Sequence, residues 1–193
     1  PYSKEISNDL FVKKDGDEVV VCLNYDGKFG LNSINNYFQE SNEQNVFEWK
    51  EWTYKIGDPI LFNENKRFPM LYNNLKGRIV DIKKGNDYLQ FFIKVPLNIT
   101  SIDSKKNDFQ IVENDSTIIS FYVREKDGGT TDEEREEAKI NSIVPFQLEY
   151  AVSIHKAQGL EYNSVKVVIP SSNTEFISHG VFYTAITRAK EKL

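Results

Sequence analysis

The chain has 193 residues, 39% of them hydrophobic, and a formal net charge of −5 at neutral pH. That is enough apolar material for one domain carrying an insertion, and it excludes wholesale disorder. The negative balance excludes a surface coated in basic charge, so any nucleic-acid contact must be local. The balance is uneven: Ala151 to Leu193 carry five Lys or Arg against three Glu, a net of +2, which leaves −7 for the first 150 residues. No apolar run approaches the ~18 residues of a membrane helix. The opening PYSKEISNDLFVKKDGDE has no apolar stretch of signal-peptide type. The single cysteine, Cys22, sits inside VVVCL, which gives no disulfide framework and suits a cytoplasmic protein.

In chain order, Glu18–Leu23 is an apolar run of strand length, followed by turn glycines Gly27 and Gly30. Leu31, Ile34, Tyr37 and Phe38 then recur at helical spacing. Strand, glycine loop and helix open an α/β unit. NVFEWKEWTY reads as a strand or an aromatic linker, and Gly57-Asp58-Pro59 as a turn into a strand at Ile60–Asn63. KRFPMLYNN reads as a loop, and KGRIVDIKKGNDYLQFFIKV as a hairpin about the turn KKGND. DFQIV and STIISFYV add strand candidates, and such a run of short strands suits a small barrel. Thr130 or Thr131 caps a helix DEEREEAKI whose first-turn acids suit the helix dipole. This helix reads as a solvated charged face. YAVSIHKAQGLEYNSVKVVIP gives strand, loop, strand. ISHGVFYTAITRAKEKL gives a final helix with Val181, Phe182, Ala185, Ile186 and Ala189 on one side.

An α/β sheet is therefore entered, left for a β-rich insertion, and entered again. The expected boundaries are 1–75, 76–143 and 144–193. Pro1 is not a natural start, and Leu193 follows a helix where an α/β domain continues into a strand. The chain is thus expected to be a fragment of a larger protein.

Two stretches carry chemistry. In AVSIHKAQGLEY, a strand ends in a loop bearing Ser153, His155, Lys156, Gln158, Gly159 and Glu161. Ligands bind at that end of strands in open α/β sheets, and Gly159 lets a ligand approach the backbone. Taken alone, such a loop is also compatible with an ordinary polar surface. In FYTAITRAK, Arg188 lies on the polar side of an apolar helix, one turn from Thr184. Its planar fork suits bidentate contact with phosphate, and a surface salt bridge is the plain alternative.

Together the stretches resemble motifs V (SIHKAQGLEY) and VI (FYTAITRAKEKL) of superfamily 1 helicases, closest to the RecD-like branch. There a Gly-Asp strand comes well before motif V and an SH3-like barrel is inserted between them. IGDPILFNEN, NNLKGRIVDI and the β-rich insertion are similar to those pieces, and LNYDGKFGLNSIN resembles motif IV. The resemblance implies a RecA-like parallel-sheet domain of the P-loop NTPase type, with motifs in the right order over nearly the whole chain. Motif V here begins with Ser153 in place of the usual Thr. The barrel entry reads NNLKG in place of Asn-Gly. The acidic helix at 131–140 is foreign to a minimal barrel and reads as a lineage-specific surface.

What the resemblance implies for residues is specific. Arg188 is the arginine finger reaching the γ-phosphate of ATP. Gln158, Gly159, Glu161 and Thr184 line the same nucleotide cleft, and Tyr183 and Thr184 support the finger. Ser153, His155 and Lys156 hold the DNA backbone, and Lys28 approaches nucleotide or DNA from the motif IV loop. No GxxxxGK[ST] occurs in the sequence. ATP and Mg²⁺ are therefore expected to be held mainly by an upstream RecA-like domain of the same polypeptide, and the fragment alone is expected to be inactive. The expected partners are single-stranded DNA or a duplex junction, that upstream domain, and proteins docking on the barrel, with no membrane and no metal ligands of its own. Repair and recombination are the processes such motors serve, and members of this branch usually move 5′ to 3′. Two other classes fit the residues: a binding module derived from a helicase, and a motor ATPase that acts on RNA or serves as a nuclease-coupled subunit of a larger complex.

Overall fold

The computed structural model describes residues 18–25, 27–63, 67–100, 109–113, 117–125, 130–169 and 178–193. The chain divides into two compact units, one of residues 1–41 with 149–193, the other of residues 42–148.

In the first unit, β1 (Glu18–Cys22) is followed by α1 (Leu31–Glu40). β1 is apolar because it lies inside a parallel sheet covered on its faces. α1 buries Leu31, Ile34 and Phe38, the face set by its helical spacing, over Val20 and Cys22. Phe38 stacks on Tyr150 with ring centres 5.8 Å apart.

The second unit opens with the hairpin β2 (Val46–Trp49) and β3 (Trp52–Lys55). Then come β4 (Pro59–Phe62), β5 (Lys76–Lys84), β6 (Tyr88–Lys94), β7 (Gln110–Glu113), β8 (Ile118–Arg124), α2 (Asp132–Ser142) and β9 (Phe146–Leu148). Six strands form one antiparallel sheet in the order β7-β8-β6-β5-β4-β9. Its inner face supplies Phe62, Phe91, Phe121 and Phe146 to an aromatic core that Phe68, from the loop between β4 and β5, joins. The expected boundaries at 76 and 143 fall inside this unit. The physical reason is pairing: β4 bonds both β5 and β9, so the Gly-Asp strand belongs with the insertion.

Local chemistry explains the turns. Gly57 has φ +92°, a conformation that suits glycine. Asp58 is fully buried, and its carboxylate accepts from Lys55 N at 2.8 Å and Asn42 Nδ2 at 2.9 Å. The Gly-Asp pair thus fastens the turn into β4. Asn74, with φ +69°, supplies the left-handed residue at the NNLKG entry, since Asn tolerates that region better than most side chains. Thr131 caps α2 with a reciprocal bond from Glu134, a capping box.

The chain returns to the first unit through β10 (Ala151–Ser153), α3 (Ile154–Ala157), β11 (Tyr162–Val168), α4 (His179–Ile186) and β12 (Ala189–Lys192). The sheet order is β10-β1-β11-β12, all parallel. Three sequence expectations are corrected here. The loop after β10 contains a helical turn, α3. The final helix stops at Ile186, and Ala189–Lys192 form the strand that the sequence reading places beyond Leu193. Of the face proposed for that helix, Ala185 is buried and Phe182 is exposed. Among the described residues, no helix is long and apolar enough to cross a membrane.

Candidate functional site

The site lies at the C-terminal ends of β1 and β10, which sit side by side with Cys22 opposite Ser153. β10 is an edge strand, so its outward backbone groups need partners. Asn35, buried on α1, supplies them: its Nδ2 donates to Ala151 O at 3.1 Å and its Oδ1 accepts from Ala151 N at 2.9 Å. The amide stands in for a neighbouring strand and fixes the height at which β10 ends.

Ser153 is 1% exposed and caps α3, its Oγ accepting from Lys156 N at 3.2 Å. The same Oγ accepts from the Tyr25 hydroxyl at 3.2 Å. Ser153 thus sets the shape of the turn from within. His155 is exposed, and Lys156 is half-buried. Burial lowers the Lys156 pKa from its ordinary value, because losing water disfavours the charged ammonium. Gln158 and Gly159 are exposed. Gly159 has φ +84°, with nothing within 4 Å of where a Cβ would stand.

Arg188 is not on the helix. It follows the C-cap Thr187 and precedes β12. Its Nε donates to Thr184 O at 3.1 Å, Nη1 to Leu160 O at 3.2 Å and Nη2 to Thr187 Oγ1 at 3.1 Å. A guanidinium has five N–H groups, so two remain. Among the described residues no carboxylate pairs with it. The half-buried Arg188 is therefore oriented entirely by neutral acceptors. Its backbone carbonyl accepts from Tyr162 N at 2.9 Å, which ties it to the start of β11.

The other expected residues are placed as follows. Glu161 pairs with Lys190 at 3.2 Å on the surface. The Thr184 hydroxyl donates to Gly180 O at 2.8 Å, and its own carbonyl holds the Arg188 Nε. The Tyr183 side chain is 66% exposed, while its carbonyl receives the Thr187 N–H at 3.0 Å. The Lys28 ammonium stands 5.7 Å over the Phe29 ring. The structure thus gathers Ser153, Lys156 and Tyr25 at one point, and Leu160, Thr184, Thr187 and Arg188 at another, at opposite ends of one short segment. Asn35 and Tyr25 escaped the sequence reading. Both lie in LNYDGKFGLNSIN, but nothing there signals partners more than 100 residues away.

The residues fit an oxyanion such as phosphate: a guanidinium with unused donors, and an exposed glycine with open space at its Cα. No group of three or more His, Cys, Asp or Glu side chains able to hold a metal ion occurs among the described residues.

The family described as UvrD-like helicase C-terminal domain matches residues 148–193. The chain is 24% identical to a RecBCD enzyme subunit RecD from Buchnera aphidicola, over the whole chain and 26% of that protein. It is 39% identical over 47 residues to an ATP-dependent RecD2 DNA helicase from Deinococcus radiodurans, covering 24% of this chain and 7% of that one. The chain thus spans about a quarter or less of the length of these curated relatives. Among solved structures it is similar to a Bacteroides Pif1 helicase in complex with ADP-AlF3 and ssDNA, at a TM-score of 0.49 and 14% identity. That likeness covers 97% of this chain and 42% of that one.

Proposed function

We propose, from the premise that this chain is a superfamily 1 helicase C-terminal domain, that it serves as the second motor domain of an ATP-dependent DNA helicase or translocase. Arg188 carries the reading. It is an always-charged fork held by neutral oxygens, with two donors unspent and no internal counter-ion among the described residues. An always-charged planar fork with unspent donors matches the oxygens of an incoming phosphate.

In this reading Arg188 contacts the γ-phosphate of ATP, with Gln158, Gly159 and Glu161 along the same edge. Thr184 positions the fork through its carbonyl. ATP supplies the anionic charge that the fork recognises. Mg²⁺ and the phosphate cradle belong to an upstream RecA-like domain. His155 and Lys156 hold the strand by its phosphates, which positions it without reading sequence. Ser153 acts through the turn it caps. Residues 42–148 are read as an SH3-like insertion.

The test is hydrolysis. This chain alone is expected to turn over no ATP, and measurable turnover by the purified chain counts against the reading. In the parent protein, Arg188→Ala is expected to lower hydrolysis by roughly 10³–10⁵-fold while nucleotide binding changes little. Wild-type turnover in that variant removes the assignment.

A further inference from the structure

Tyr25 lies in the loop after β1, and its hydroxyl donates to Ser153 Oγ, 128 residues away in sequence. The ring is therefore held at both ends, by the backbone and by that bond. The residue nevertheless remains 52% exposed. An aromatic ring fixed in one orientation with surface open to water is suited to stacking, because little freedom is left to lose on binding.

Its neighbours indicate the class of ligand. Ser153 Oγ receives both the Tyr25 hydroxyl and the Lys156 N–H, each at 3.2 Å, so the ring and the Lys156 backbone converge on one atom. The exposed imidazole of His155 belongs to the same turn, and the exposed Lys28 and Phe29 belong to the loop of Tyr25. A flat apolar surface beside cationic and polar groups matches a planar base attached to phosphate.

We infer that Tyr25 is a base-stacking residue, taking an unpaired nucleobase of the strand whose phosphates pass His155 and Lys156. The inference rests on the reading of that turn as a strand grip. A nucleobase also occurs in the nucleotide itself. The strand is favoured because Tyr25 is tied to the Ser153 end of the segment, and the Leu160–Arg188 end is the one assigned to nucleotide.

The test uses this chain with three probes: oligothymidylate, an abasic strand of equal length, and ADP. One base stacked on an aromatic ring strengthens binding roughly 5- to 100-fold. Wild type is expected to prefer thymidylate over the abasic strand. Tyr25→Ala is expected to lose that preference, with abasic affinity and salt slope unchanged, because the phosphate contacts survive. Tyr25→Phe is expected to keep most of it, because the ring survives. A preference that persists in Tyr25→Ala overturns the stacking and leaves the grip standing. Equal loss in Tyr25→Phe also overturns it, since the hydroxyl anchor alone would then matter. Loss of ADP binding with thymidylate binding intact overturns the strand assignment. A wild-type chain that binds neither strand brings down the stacking and the grip together.

Discussion

Arg188 donates from Nη1 to the carbonyl oxygen of Leu160 at 3.2 Å, across 28 residues of sequence. Leu160 closes the turn after α3, its own N–H bonding Ala157 O at 3.0 Å. The guanidinium and the polar segment expected to grip a strand are therefore one hydrogen-bonded assembly. A group that exchanges Leu160 for phosphate alters the far end of the segment that carries His155 and Lys156.

The fork geometry makes Arg188→Lys a sharper probe than alanine. Lysine keeps the charge but offers a single point of contact, and it cannot bond Thr184, Leu160 and Thr187 at once. In the parent protein this variant is expected to hydrolyse ATP nearly as poorly as Arg188→Ala. Steady-state turnover of both variants checks this, and substantial rescue by lysine would show that charge alone suffices.

Asn35→Ala is expected to destabilise the chain by roughly 2–3 kcal/mol. It strands the buried N–H and carbonyl of Ala151, and each unsatisfied group costs about 1–3 kcal/mol. Equilibrium urea unfolding measures it. Asn35→Leu is expected to be no better, because added apolar volume does not satisfy the two backbone groups.

Ser153→Ala removes the acceptor for Lys156 N and the Tyr25 hydroxyl. The expected cost is about 1 kcal/mol, the usual loss for an N-cap. Strand affinity is expected to fall through the misplaced turn, with the salt slope retained. Ser153→Thr is expected to restore both, since the hydroxyl is what caps.

Cys22 is fully buried, and burial pushes its thiol from 9.0 up to about 12. The folded state therefore holds a proton that the unfolded chain releases above pH 9. Stability from this group is full below pH 9 and declines as pH rises toward 12. Burial raises the Tyr54 pKa in the same sense. Urea midpoints are expected to drop across that window. Alkylation of Cys22 is expected to be slow in buffer and fast in denaturant, and rapid alkylation of the native chain would contradict its burial.

Much of the architecture was legible because it is written locally. The helical spacing of Leu31, Ile34 and Phe38, a capping Thr130 or Thr131 ahead of an acidic first turn, and the hairpin about KKGND all signal within a few residues. What escaped depends on distant partners. AKEK at 189–192 is composed of good helix formers and becomes a strand only because β11 lies beside it. Asn35 looks like a polar blemish on a helix until Ala151 is placed against it. Ile60–Asn63 reads as a strand from sequence, but only the pairing of β4 with β5 and β9 assigns it to the second unit. In the candidate site, the residue types were visible. That Ser153 is buried, and that Arg188 stands beyond its helix, depended on packing.

The division of the chain has a consequence for synthesis. Residues 42–148 form one contiguous unit, whereas β1 finds its sheet neighbours only in strands that begin at Ala151 and Tyr162. On the ribosome, the second unit can complete its fold while β1 and α1 are still without their sheet. The apolar segment EVVVC must wait through more than a hundred further residues before it is covered. During that interval its apolar side chains stay uncovered, a state that chaperones guard.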